Sequence, residues 1–306
     1  MGFGSYTSND WNRLRSARNI NDDSTVNQLY NSRFMKAIFD PSKIKVRESR
    51  DSEDNPQSTA IIIGLDVTGS MGYLSEEIAK NSLNRTMLEI YDKQPVTNPQ
   101  IMFNAIGDSL SDQAPLQVTQ FESDIRIAEQ LLDVWFEGRG GGNGGESYNL
   151  TWYFAARHTD IDCFKKHGRK GFIFTIGDEC CHPKLTVREI NRVFNDDCER
   201  DYSSKELFDE ASRKYNVYHI VLKSGAYGYQ NSGESWKKLI PGHVIELNPD
   251  DLKYLAEILV SVMQLQSGKN LNDISVQWSN IDVRKAVVEA LSELDVEQHK
   301  KGFFKF

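Results

Sequence analysis

The segment Ile61-Ile62-Ile63-Gly64-Leu65-Asp66-Val67-Thr68-Gly69-Ser70-Met71-Gly72 places one acid and two hydroxyls at alternate positions directly after a hydrophobic run. A carboxylate beside hydroxyl oxygens is a hard-oxygen set suited to magnesium, which keeps an octahedral shell and usually several waters. The plain alternative is a polar turn in which Asp66 caps the helix that follows. Two more segments weigh against that alternative. Gly171-Phe172-Ile173-Phe174-Thr175-Ile176-Gly177-Asp178-Glu179 is a second hydrophobic run ending in acids, and Ala105-Ile106-Gly107-Asp108 is a third. Between them, residues 138–145 hold six glycines in eight positions, followed by Glu146 and Ser147. A backbone freed of Cβ can come close to an ion or ligand.

Acids brought together in this way need strands that end side by side. From residue 60 onward, short apolar runs alternate with longer amphipathic ones, the pattern of a parallel sheet covered by helices. Residues 60–65 read as a central strand buried on both faces. Strands are also expected over 101–106, at 116–121 as an edge, and over 171–176, 217–222 and 243–247. Ala79, Leu83, Met87 and Ile90 recur at helical spacing and predict a helix over about 73–92. Others follow near 127–135 and 150–157. Thr186-x-x-Glu189 and Ser203-x-x-Glu206 are capping boxes that open two short helices. Asn248-Pro249-Asp250-Asp251 supplies a cap, a first-position proline and two acids ahead of a helix that closes the domain near 266. The expected organisation is a polar, partly ordered extension over 1–59, an α/β domain over 60–266, and a helix at about 281–293 with an aromatic-basic tail in 267–306.

Asp66-x-Thr68-x-Ser70 after a hydrophobic strand, the glycine-rich loop leading into a helix, and the later strand ending in Asp178 together resemble the von Willebrand factor A family and its metal-ion-dependent adhesion site. The resemblance covers roughly residues 58–266 and implies a Rossmann-like, doubly wound domain with a mostly parallel sheet. It also implies that Asp66 through water, and Thr68 and Ser70 directly, hold a divalent cation, usually Mg²⁺, with Mn²⁺ as a substitute. Asp178 would be the later acid, touching the ion directly or through water. The chain departs from the family in the glycine loop, where Asn143 stands in place of the usual Thr or Asp. A neutral amide binds magnesium more weakly than a carboxylate, and Glu146 or Ser147 takes the role if the loop is in another register. Asp108, Glu146, Ser147 and Glu179 form a second circle of candidates.

The remaining signals are weaker. Gly140-x-Gly142-x-x-Gly145 fits the dinucleotide fingerprint but follows a helical stretch instead of a first strand. Neither a phosphate-loop lysine motif nor a paired-histidine zinc helix occurs. Cys180-Cys181-His182 with Cys198 lacks the spaced pairs of a thiolate zinc site and reads as partly buried thiols. Asp178-Glu179 has no accompanying nucleophile, so an acid-base pair is disfavoured. The tail Lys300-Lys301-Gly302-Phe303-Phe304-Lys305-Phe306 could dock on a partner or pack on the chain itself.

Composition narrows the classes further. Over 306 residues, hydrophobic residues make up 39% and charged residues 26%, which describes a folded chain. A net charge of −8 disfavours nucleic acid as a partner. The sequence has no membrane-length apolar run, no leader pattern and only four cysteines, so no membrane association and a cytoplasmic location are expected. The expectation is a non-enzymatic adaptor or assembly factor; the resemblance implies that a partner Asp or Glu completes the Mg²⁺ shell and that the partner belongs to an AAA+ ATPase-containing or other multi-subunit assembly. The alternative from another class is a Mg²⁺-dependent hydrolase acting on a phosphoester.

Overall fold

Thr59–Asp66 (β1) is buried at every residue, because it lies in the middle of a sheet covered on both sides. Its alternate side chains divide between two cores. Ile61, Ile63 and Leu65 face one, and Ala60 and Ile62 face the other. The computed structural model describes residues 5–30, 32–138, 144–223 and 229–295, with only the backbone of Ser70, Tyr73, Leu74, Tyr229 and Gln230.

The other sheet strands are Pro99–Ile106 (β2), Leu116–Val118 (β3), Gly171–Gly177 (β4), Tyr215–Leu222 (β5) and Val244–Leu247 (β6). Their spatial order is β6-β5-β4-β1-β2-β3. All neighbours run parallel except β3, which is antiparallel at one edge. This is a doubly wound sheet whose winding reverses between β1 and β4, the place where such sheets bind ligands. The α/β class and the mostly parallel sheet expected from the sequence are therefore observed.

Ser8–Ala17 (α1), Val26–Leu29 (α2), Gly72–Glu77 (α3), Leu83–Lys93 (α4) and Arg126–Leu132 (α5) flank one face. Tyr148–Arg157 (α6), Val187–Phe194 (α7), Ser204–Ala211 (α8) and Tyr229–Leu239 (α9) lie with the other core. Leu255–Gln266 (α10), Leu271–Val276 (α11) and Ile281–Leu291 (α12) return to the first face. Both capping boxes form, with Thr186 on Glu189 and Ser203 on Glu206.

Two local features differ from the sequence reading. The helix expected over 73–92 is interrupted by a π turn, Ile78–Ser82, between α3 and α4. The wider turn keeps Ile78, Ala79 and Leu83 all in the core, where an uninterrupted 3.6-residue repeat would rotate the apolar stripe. Asn248 has the cap backbone, but its amide donates to the Asp251 carboxylate at 3.0 Å, and a 3₁₀ turn, Pro249–Tyr254, precedes α10. The described residues after 266 pack on the first core. Ile274, Val283 and Val287 are buried in the same core, and the Trp278 indole donates to Ser261 Oγ at 3.1 Å.

The described residues before β1 lie against the domain. Trp11, Leu14, Leu29 and Tyr30 enter the first core, while Phe34 and Ile38 stay exposed. Beyond them, the Val118 amide of edge strand β3 donates to the Phe39 carbonyl at 2.9 Å, and Arg47 bonds the Val118 carbonyl at 3.1 Å. Arg47–Ser49 then pairs in parallel with Thr159–Ile161. No helix among the described residues is long and apolar enough to cross a membrane.

Gly171 opens β4 where a side chain has no room: a Cβ there would sit 2.6 Å from the Ala60 carbonyl oxygen and 2.8 Å from the Tyr215 ring. Gly171→Ala must push two central strands apart, at a cost of about 1–3 kcal/mol. The urea midpoint should fall with an unchanged m-value, and an unshifted midpoint would show that this contact carries no stability.

Candidate metal centre at the sheet switch point

Asp66 ends β1 and Asp178 directly follows β4, so the winding reversal brings their strand ends together. Both carboxylates are withdrawn from solvent, Asp66 completely. Glu146 arrives by a separate route. The short ladder Gly145–Glu146 pairs with Cys180–Cys181, and the Glu146 carbonyl accepts from the His182 amide at 3.1 Å. On the next residue, the Ser147 amide bonds the Gly107 carbonyl at 3.2 Å. The Glu146 backbone is thus clamped between the ends of β2 and β4. Its side chain is 4% exposed, and Oε2 is buried with no hydrogen-bond partner.

Asp66 is held on both oxygens. Oδ1 accepts from the Thr68 amide at 2.9 Å and the Thr68 hydroxyl at 2.6 Å, and Oδ2 accepts from the Tyr148 hydroxyl at 2.7 Å. Tyr148 reaches this position only because residue 177 is glycine: a Cβ there would lie 1.8 Å from its hydroxyl oxygen. Behind it, His219 and Trp236 pack edge-on against the ring at 4.9 and 5.3 Å, and Thr175 Oγ1 lies 2.9 Å from His219 Nδ1.

These carboxyls raise one another. Burial, with the charge of Asp178 adding to it, pushes Asp66 up to about 7 against the bonds from Thr68 and Tyr148. Burial, followed by the charges of Asp66, Asp108, Asp112 and Glu179, pushes Glu146 up to about 10. Glu179 is raised by burial and then by Asp178. Neither Asp66 nor Glu146 pairs with a Lys or Arg among the described residues. A divalent cation would supply counter-charge to such a set, and oxygen donors suit a hard ion. The donor set therefore fits the metal in kind. In its present arrangement, no three His, Cys, Asp or Glu side chains among the described residues converge as a metal cluster.

The sequence candidates fall into three groups. Asp66, Thr68, Asp178 and Glu146 lie at the strand ends, with Glu179 half-buried beside them. Asp108 and Ser147 are nearby but engaged: Asp108 meets His182 at 2.7 Å and Ser111 at 2.9 Å, and Ser147 Oγ accepts from the Ser109 amide at 2.7 Å. Asn143, most of the glycine run and the Phe-rich tail lie outside the described residues, as does the Ser70 side chain. Tyr148 was missed by sequence reasoning, since a tyrosine at a helix start looks like core. The four cysteines are free, and His182 is committed to Asp108.

No family model matches the chain, and no curated protein matches it. Similar solved structures include the pilus adhesin SpaC from Lactobacillus rhamnosus GG in an open conformation, at 8% identity and TM-score 0.46, covering 70% of this chain and 31% of the adhesin. The vWF domain of the type V pili tip protein Mfa5 from Porphyromonas gingivalis is 9% identical with TM-score 0.43, covering 74% of this chain and 98% of that domain. Proximal thread matrix protein 1 from the mussel byssus is 11% identical with TM-score 0.41, covering 72% and 49%. The chain thus spans under half the length of the adhesin and the mussel protein. At these scores the likenesses add no weight to the strand order and site geometry.

A carboxyl raised in the folded state keeps its proton there after the unfolded chain has lost it. Its stabilising contribution is full below the unfolded value near 4 and is lost as pH climbs to about 7. In EDTA, the wild type should lose stability relative to Asp66→Asn over that window, by at most about 1.4 kcal/mol per pH unit. Urea melts of both proteins at pH 4.5 and 7 test this, and parallel behaviour would rule it out.

Proposed function

We propose that the chain is a von Willebrand A-type interaction module that captures a partner protein through a divalent cation. The observation that carries this reading is the buried pair Asp66 and Asp178 at the switch point, beside a Glu146 oxygen without a hydrogen-bond partner and with no basic side chain on Asp66 or Glu146 among the described residues. Asp66, Thr68, Ser70, Asn143 and Asp178 would hold Mg²⁺, or Mn²⁺ in its place. The ion, when bound, supplies positive charge that an anionic group can complete. The protein's own part is to fix the oxygens. Thr68 is tied to Asp66, Tyr148 orients the second Asp66 oxygen, and the packing behind Tyr148 keeps water from replacing that bond. A partner Asp or Glu is the matching group, and an adaptor or assembly role within a multi-subunit complex follows from such recognition.

The test is calorimetric titration of Mg²⁺ and Mn²⁺ into EDTA-stripped protein. One saturable site should appear in the wild type and be lost in Asp66→Ala, with melting temperature rising on ion addition only in the wild type. Absence of saturable binding in the wild type would overturn the metal reading. Metal-dependent cleavage of a generic phosphoester, abolished by Asp66→Ala, would replace it with the hydrolase.

A further inference from the structure

The strands that end at the acidic site begin, at the opposite pole, beside a cleft of about 480 Å³. This is a size typical of small-molecule sites, roughly 300–1,000 Å³. Phe172 at the start of β4, Val96 in the loop after α4 and Met263 near the end of α10 give it an apolar wall. Arg169, Lys170 and the Asn216 amide stand on its polar side.

Arg169 is held in place before any ligand arrives. Gly168 turns the chain in a left-handed conformation, with φ +62°, and the Arg169 amide bonds the Cys163 carbonyl at 2.8 Å. The guanidinium donates to Thr97 Oγ1 at 2.8 Å and to the Gln57 carbonyl at 3.4 Å. A guanidinium has five N–H donors, and this one meets no carboxylate among the described residues. A fixed cation with spare donors next to an aliphatic and aromatic wall suits a molecule that carries both an oxyanion and an apolar body.

We propose that this cleft binds a small amphiphilic carboxylate, with its oxyanion on Arg169 and its hydrocarbon body against Phe172, Val96 and Met263. The site is separate from the metal centre and does not depend on it.

Octanoate is the probe, titrated calorimetrically into the full chain, with 1-octanol and octylamine as matched bodies bearing other heads. Octanoate should bind saturably to one site and at least about tenfold more tightly than octanol, the ratio expected for a charge-assisted hydrogen bond. Arg169→Met should lose that margin. Val96→Trp, which narrows the mouth from a loop, should weaken binding by a similar factor and serves if Arg169→Met fails to fold. Octanoate should bind the wild type equally in EDTA and in excess Mg²⁺. The proposal is overturned if octanoate does not saturate, if octanol binds equally well, if both cleft variants bind like the wild type, or if EDTA abolishes binding. Tighter octylamine binding would also overturn it, by showing that the carbonyl ends of α4 and α10 dominate the cleft.

Discussion

Burying like charges side by side is costly, and much of the centre of this molecule is arranged around that cost. Asp66, Glu146 and Asp178 are each nearly or fully withdrawn from water where β1, β2 and β4 end. For Asp66 and Glu146, burial and then the neighbouring carboxylate charges favour the protonated forms. Without a cation, these two carboxyls keep their protons to higher pH than exposed carboxylates do. A divalent ion would exchange for those protons, so occupancy and pH must be linked.

The supports of the site follow from that constraint. Tyr148 donates to Asp66 because Gly177 leaves room, and its ring is trapped by His219 and Trp236, whose indole in turn donates to the Glu179 carbonyl at 2.9 Å. The chain on both sides of Glu146 is locked by backbone bonds to the segments after β2 and β4. A carboxylate with a raised proton affinity stays useful only if it cannot swing out to water, and these contacts prevent that. The segment before β1 acts on the same region. The Val26 amide donates to the Glu76 carboxylate at 2.8 Å, and the Tyr30 hydroxyl bonds the Ser75 carbonyl at 3.2 Å, anchoring the helix that follows Asp66 and Thr68.

The parts legible in the sequence were those with a strong local signal. The runs at 60–65 and 171–176 had to be central strands because they carry no polar face, and the acid after each run lay at a strand end as a result. Both capping boxes were readable because each is complete within four residues. The π turn was not, since its register is set by packing on the sheet and the apolar spacing around it still reads as one helix. Tyr148 was invisible because its partner Asp66 is 82 residues away in the chain. The same is true of the Asp108–His182 contact, made across 74 residues. Glu146 was legible as an acid beside a glycine-rich segment, but the clamps that fix it come from two distant strand ends.

The contact between Phe39 and Val118 has a consequence for how copies of this chain meet one another. β3 is a short, antiparallel edge strand, and edge strands present free backbone groups that recruit other strands. The Phe39 carbonyl and the Arg47 guanidinium already occupy the Val118 amide and carbonyl. The leading segment therefore works as a built-in blocker of sheet extension. A chain shortened to begin at β1 would expose an apolar, hydrogen-bond-hungry border, and self-association through that border would compete with folding at high concentration.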